Sequence, residues 1–482
     1  MARRGALTPE LLTGLGIEKL ARLVLHETER NPSFQRIVSA AVAAGRGPDA
    51  ILGVVNRRLA ALERARGLIG WEKRKAFVAD LVATVATITD ELGGADPPAA
   101  VDQILRFLAT AERVFERVED SSGQVEDVYG QAADALPLLV PQLSHADKAK
   151  LADQLTPLLL VDAHGLIGSA MVGILPVLSE AAVERLDKAL QTASEELGPA
   201  QDESRGWRSR LHDERLIRAR QAVADQRGDV DAFIALERSR SSQRHDTLGV
   251  AERLLAAGRP AEALEWVRQR NRPGLRVMTW EDLGDGTGGR DFADRNRGNL
   301  EIKILDALGE HEAAQALRWS IFEKTLDPDI LRDYLAHLPD FAEFEVLDRA
   351  FAYAASFAHR YSALGFFLAW PRLDLAAKLV LDHADTWEGR HYGALAPAAD
   401  ALDEPHPAAA TVLYRALIGD ILARARSPAY GHAARYLARL DALAERDGTS
   451  TSVRPNHAAY RGELKRTHGR KAAFWNLVEG RR

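Results

Sequence analysis

LLAAGRPAEALEW (residues 254–266) and ILDALGEHEAAQALRW (residues 304–319) are written to one plan. Each has an apolar helix end, then a Gly, then an Ala five residues further on: Gly258 with Ala263, and Gly309 with Ala314. Gly takes the left-handed conformation that stops a helix. A small Ala lets the following helix close against the one before it. Together they predict two helices joined by a tight turn.

This turn resembles the one inside tetratricopeptide-type hairpins, and LDPD at 326–329 resembles the end of such a unit. The remaining consensus positions are missing and the spacing is irregular. The expected fold is therefore all-α, an irregular α-solenoid of helical hairpins, tetratricopeptide-like in part, with a docked C-terminal helix.

The rest of the chain reads the same way. Ala and Leu outweigh the β-branched residues, and no run alternates apolar with polar. TPELLTGLGIEKLARLVLHE, from Thr8, opens with Thr8 as N-cap and Pro9 at the first helical position. In KRKAFVADLVATVATITDEL, residues Phe77, Leu81, Val82, Val85 and Ile88 share one stripe. Breakers fall at 93–98, 119–124 and 196–206. Further helix pairs are read in LDLAAKLVLDHAD and HPAAATVLYRALIGDILARA. The expected organisation is a helical region over 1–145, the solenoid over 146–447 and a basic linker and helix over 448–482. One interruption, 272–299, is too long for a solenoid turn.

The 482 residues include no cysteine and carry a net charge of −6. Disulfides, thiolate catalysis and cysteine-ligated metals are excluded, and a reducing cytoplasm is the expected compartment. No apolar h-region follows the first Arg residues, so no signal peptide is read. LLLVDAHGLIGSAMVGILPVL (158–178) is the most apolar stretch, but Asp162 and His164 interrupt it. Its uninterrupted apolar part is too short to cross about 30 Å of hydrocarbon, and the stretch is read as a buried core helix.

The end of the chain is basic. From Arg454 onward there are eight Lys/Arg and two Glu, a local charge of +6. On a helix capped by Asn456, residues Tyr460, Leu464, Phe474, Trp475 and Val478 form an apolar stripe, with Gly469 a place for a break. The leading expectation is a helix docked on the solenoid. The second is an anion or nucleic-acid contact through Arg461, Lys465, Arg466, Arg470 and Lys471.

Other candidates have plain readings. Asp120 or a Ser in EDSSG (119–123) serves as a helix cap. GDGTGG (284–289) lacks the Lys-Ser/Thr ending of a phosphate loop and reads as an ordinary loop. Asp382, His383 and His391 could form a metal site only if the fold gathered them. RGWRSRLHDERLIRAR (205–220) alternates Arg with acid and reads as a solvated helix face. No catalytic, cofactor or metal motif is recognised.

Four stretches, LTPELLTGLGIEKLARLVLHETERNPSFQRIV, ILRFLATAERVFERVEDSSGQVEDVYGQA, HPAAATVLYRALIGDILARARSPAYGHAARYLARL and the closing YRGELKRTHGRKAAFWNLV, together resemble a bacterial family catalogued as a domain of unknown function. The resemblance implies a helical-repeat fold and no activity. The closing stretch also resembles the end of proteins carrying a SWIM-type zinc finger (CxC followed by CxH), a finger this cysteine-free chain cannot form.

Three functions are thus expected in order. The first is a non-catalytic interaction scaffold with a protein or peptide in its groove and no membrane. The second is a nucleic-acid-associated protein using the basic tail. The third is an enzyme whose site assembles from distant residues in the groove.

Overall fold

Both quoted turns end a helix by one mechanism. Gly258 and Gly309 have φ of 73° and 76°. Just beyond them, the Arg259 N–H donates to Leu254 O and the Glu310 N–H to Leu305 O, each at 2.9 Å. These bonds satisfy carbonyls that the helix end leaves without a partner. Ala263 and Ala314 are fully buried on the helices that follow. The result is two hairpins, Thr247–Ala256 with Pro260–Arg268 and Phe292–Ala307 with His311–Thr325.

The computed structural model describes residues 8–197, 207–240, 245–269, 292–447 and 453–480. Those residues form helices joined by short turns and include no strand; Ile69 and Val118 make one isolated bridge. The fold is all-α. Its contacts divide into two units, Met1–Asp246 and Thr247–Arg482.

Local chemistry sets the helix starts. Pro9, Pro32, Pro48, Pro97, Pro260, Pro328 and Pro407 each occupy a first helical position, where a missing N–H costs nothing. Asn31, Asp96, Ser144, Asp229 and Asn456 each accept a bond from the backbone N–H three residues on. Thr8 Oγ1 accepts from the Leu11 N–H at 3.4 Å, as an N-cap should.

In the first unit two hairpins follow one pattern. Asp120 accepts from the Val125 and Glu126 N–H groups, at 2.8 and 3.1 Å, across a left-handed Gly123. Asp162 accepts from the Leu166 and Gly168 N–H groups, both at 3.0 Å, across a left-handed Gly165. The helices Gln124–Leu139 and Leu166–Ile174 then each end in a 3-10 turn holding Pro141 or Pro176. Leu143-Ser144 and Leu178-Ser179 follow, and each Ser caps the next helix. Gln124–Leu139 packs on Leu166–Ile174, and His145–Leu160 packs on Glu180–Leu197.

In the second unit most helices pack against their nearest or next-nearest neighbours in the chain. A continuous core runs from Ile302 to Trp475. Arg318, fully buried, ties three consecutive helices: its guanidinium meets Asp306 on one and, at 2.6 Å, Asp333 on another.

Four expectations are corrected. Residues 292–299, assigned to the long interruption, are the first half of Phe292–Ala307, and there Arg297 Nη1 donates to Gln269 O at 3.0 Å; residues 272–291 lie outside the described residues. The 158–178 stretch is not one helix. It ends a helix at Leu160, turns through Asp162, and begins another at Leu166, because the Asp162 carboxylate caps rather than interrupts. Among the described residues no helix is long and apolar enough to cross a membrane. Val82 sits at the edge of its stripe and is 43% exposed, while Leu81 and Ile88 are fully buried. Finally, the segment from Pro9 to Arg30 is split at Gly16 into two helices.

Gly389 lies close against a facing backbone. A Cβ there would lie 2.2 Å from Ala416 O and 2.7 Å from Asp420 Cβ on the helix Pro407–Ala423. Backbone cannot yield as a side-chain tip can, so Gly389→Ala is expected to destabilise the chain by at least ~2 kcal/mol. Gly393→Ala, four residues on in open space, should be neutral or stabilising by up to about 1 kcal/mol. Urea denaturation of the two variants checks the contrast.

Candidate functional site

The basic tail folds as two short helices, His457–His468 and Ala472–Val478. Asn456 caps the first, accepting from the Ala459 N–H at 2.9 Å. The break falls at Gly469. Leu464, Phe474 and Trp475 are buried, and Tyr460 and Val478 pack against the same core. Trp475 Nε1 donates to His468 O at 3.0 Å, which holds the second helix against the end of the first. The aromatic residues are therefore core, as the docked-helix expectation had it.

The five basic side chains do not converge on one phosphate-tracking surface. Arg461 grips Asp441 with bonds of 2.7 and 2.8 Å. Lys465 lies over the Trp475 ring, 5.9 Å from its centroid. Arg466 pairs loosely with Glu463 at 3.6 Å. Arg470 and Lys471 make no ion pair among the described residues. Burial, followed by the charge of Lys471, pushes the neighbouring His468 below its ordinary pKa.

The more developed site lies in the first unit, around the helix that the sequence predicts to present a solvated face. Trp207–Arg227 forms the floor of a cleft of about 700 Å³, with Glu180–Leu197 and Val230–Arg238 contributing its walls. Ile217, Arg220 and Ala224 line the floor; Ala232 and Ala235 keep one wall low. Asp187 and Arg227 pair at 2.5 Å at the rim. Asp229 caps the helix it precedes, its carboxylate accepting from the Ala232 N–H. Glu195 and Asp213 also face the cleft.

Arg220 differs from every other charge there. It is partly buried, its Nε is enclosed without an acceptor, and it makes no hydrogen bond or ion pair among the described residues. Leaving an enclosed donor without a partner costs roughly 1–3 kcal/mol. Within 211–220, the expectation of a solvated face is thus corrected. Arg218 does make the i,i+4 pair with Glu214, at 3.2 Å. Leu216 and Asp213, however, are buried, and Arg215 reaches across to Leu160 O at 2.6 Å. Sequence reasoning missed Arg220 because the i,i+4 pattern of acids and arginines looks the same whether a neighbouring helix covers it or not.

Beside the cleft, Glu237 is almost wholly buried. Its carboxylate accepts from Gln221 Nε2 at 2.5 Å, Arg240 Nη1 at 2.8 Å and the Asp246 N–H at 2.6 Å. Burial pushes its pKa up, but the Asp246, Gln221 and Arg240 bonds together outweigh it and hold the group below the ordinary 4.5. A carboxylate saturated by donors and held ionised is an anchor, not a proton donor. It fixes the end of Val230–Arg238 to the helix before it.

Asp382 and His383 are exposed, whereas His391 is buried against the Tyr361 ring at 4.2 Å. No cluster of three or more His, Asp or Glu able to hold a metal occurs among the described residues. GDGTGG lies outside the described residues.

Two outcomes are expected. Phe474→Ala should cost about 3–5 kcal/mol, while Arg470→Ala should stay within about 0.5 kcal/mol, as thermal and urea unfolding will show. Because the folded pKa of Glu237 lies below its unfolded value, its contribution is complete above about pH 4.5 and is lost as pH falls through the folded value. The stability gap between the wild type and Glu237→Gln should therefore be widest near neutrality and narrow in acid. A gap independent of pH would contradict the assignment.

Neither a curated protein nor a solved structure matches the chain significantly. A family model does, over residues 2–477, nearly the whole sequence. The chain belongs to that family, a family of unknown function (DUF6880).

Proposed function

We propose that this protein is a non-catalytic, cytoplasmic interaction scaffold of the helical-repeat type, and that the cleft over Trp207–Arg227 receives a peptide segment of a protein partner. The observation that carries this reading is Arg220. A partly buried guanidinium with no partner is a standing cost to the fold. A partner carboxylate entering the cleft would give the open end of the guanidinium a charge-assisted bond. Ala224, Ala232 and Ala235 leave room for a backbone to approach, and the acidic walls favour a basic residue beside the carboxylate. The paired pattern at Asp120 and Asp162 supports the repeat reading, and stacked hairpins commonly present grooves of this kind.

The enzyme reading has less support. Of the acids lining the cleft, Asp187 is paired with Arg227 and Asp229 caps a helix. Ser239 Oγ donates to Leu236 O, not to a base. Of the five basic residues of the nucleic-acid reading, Arg461 is committed to Asp441, which leaves Lys465, Arg466, Arg470 and Lys471 to carry it.

Panning a random peptide library against the full chain tests the proposal. The expected result is an enriched motif with an Asp or Glu at one position, which Arg220→Glu replaces with Lys or Arg. No enrichment, or a motif indifferent to Arg220→Glu, would overturn it.

A further inference from the structure

The helix Ile17–Arg30 is amphipathic, yet none of its residues is buried. Leu20, Val24 and Thr28, spaced by four, are its partly covered residues, and it packs on Pro32–Ala44. A second ridge, also spaced by four, is open: Ile17 is 87% exposed, Leu25 is 62% exposed, and Ala21 between them is exposed too. On the neighbouring segments Leu11, Leu12, Leu15, Ile37 and Val42 are exposed as well.

We propose that this ridge is a homodimer interface, on which the same helix of a second copy lies antiparallel about a two-fold axis at Ala21. Three features of the sequence fit that occupant. A two-fold at Ala21 places Ile17 of one copy opposite Leu25 of the other, and Leu25 opposite Ile17, so apolar side chains meet at both ends. The small Ala21 sits at the crossing, where two backbones must come closest. Two-fold symmetry also brings the same flank of each helix together. That flank carries Glu18 and Arg22, both exposed and within one turn of the crossing. Glu18 of each copy then faces Arg22 of the other, and the two opposite-charge pairs form by symmetry.

One pair of 14-residue helices covers less than the roughly 1,200 Å² typical of a firm interface. The dimer is therefore weak and concentration-dependent. It is independent of the cleft proposed above, and neither depends on the other.

Sedimentation equilibrium of the full chain from about 1 to 200 µM spans the range where such a contact acts. The expected result is a monomer–dimer equilibrium. Ala21→Glu should abolish it, with circular dichroism and Tm unchanged because the position is exposed. Glu18→Arg and Arg22→Glu should each weaken dimerisation about tenfold, and the double exchange should restore it. A monomer at every concentration overturns the proposal. So does a dimer that survives Ala21→Glu, or a double exchange no better than its single parents.

Discussion

Ala132, Ala263, Ala314, Ala376 and Ala398 have no accessible surface, and all lie within helices. Close approach of one helix to the next through such residues is the constraint on which both units depend. Many helices here have nine to sixteen residues, lengths at which an isolated helix is marginal in water. Each must gain its stability by burying a stripe against its neighbours. Small residues on the buried stripe bring the axes close enough for Leu, Ile and Phe around them to interlock. Gly389 takes the same logic to its limit, since even a methyl group would strike the facing backbone.

That packing decides where polar groups can go. Arg318, Glu237 and Asp80 are buried charges, and each has charged or hydrogen-bonding partners on neighbouring helices. Such groups contribute register more than net stability, because desolvation offsets much of their attraction. Against this background an enclosed Arg220 without a partner is the exception. Exceptions of that kind are where a fold gives up stability for recognition.

The closing helix shows why residue type alone misleads about function. A stretch both basic and aromatic is what a nucleic-acid contact needs, and also what a C-terminal helix needs to dock. Leu464, Phe474 and Trp475 are sunk in the core, and Arg461 is spent on Asp441. The positive charge remains, but its carriers point to different tasks.

By itself the sequence determined the all-α class, the helix starts at Pro and capping residues, and the left-handed ends at Gly258 and Gly309. Those features depend on interactions within a few residues, so they are written locally. It also carried the twin Asp-x-x-Gly pattern at 120–123 and 162–165. What only the tertiary structure decided is which helical faces meet. The cleft gathers residues from three helices, Arg220 is partnerless because of how those helices cover it, and residues 292–299 are helical where the sequence suggested a loop. Burial is a property of neighbours, and periodicity within one helix cannot state which neighbour it has or whether it has one. Ile17, Ala21 and Leu25 look like core residues in sequence, and only the folded chain shows that no described residue of the first unit buries them.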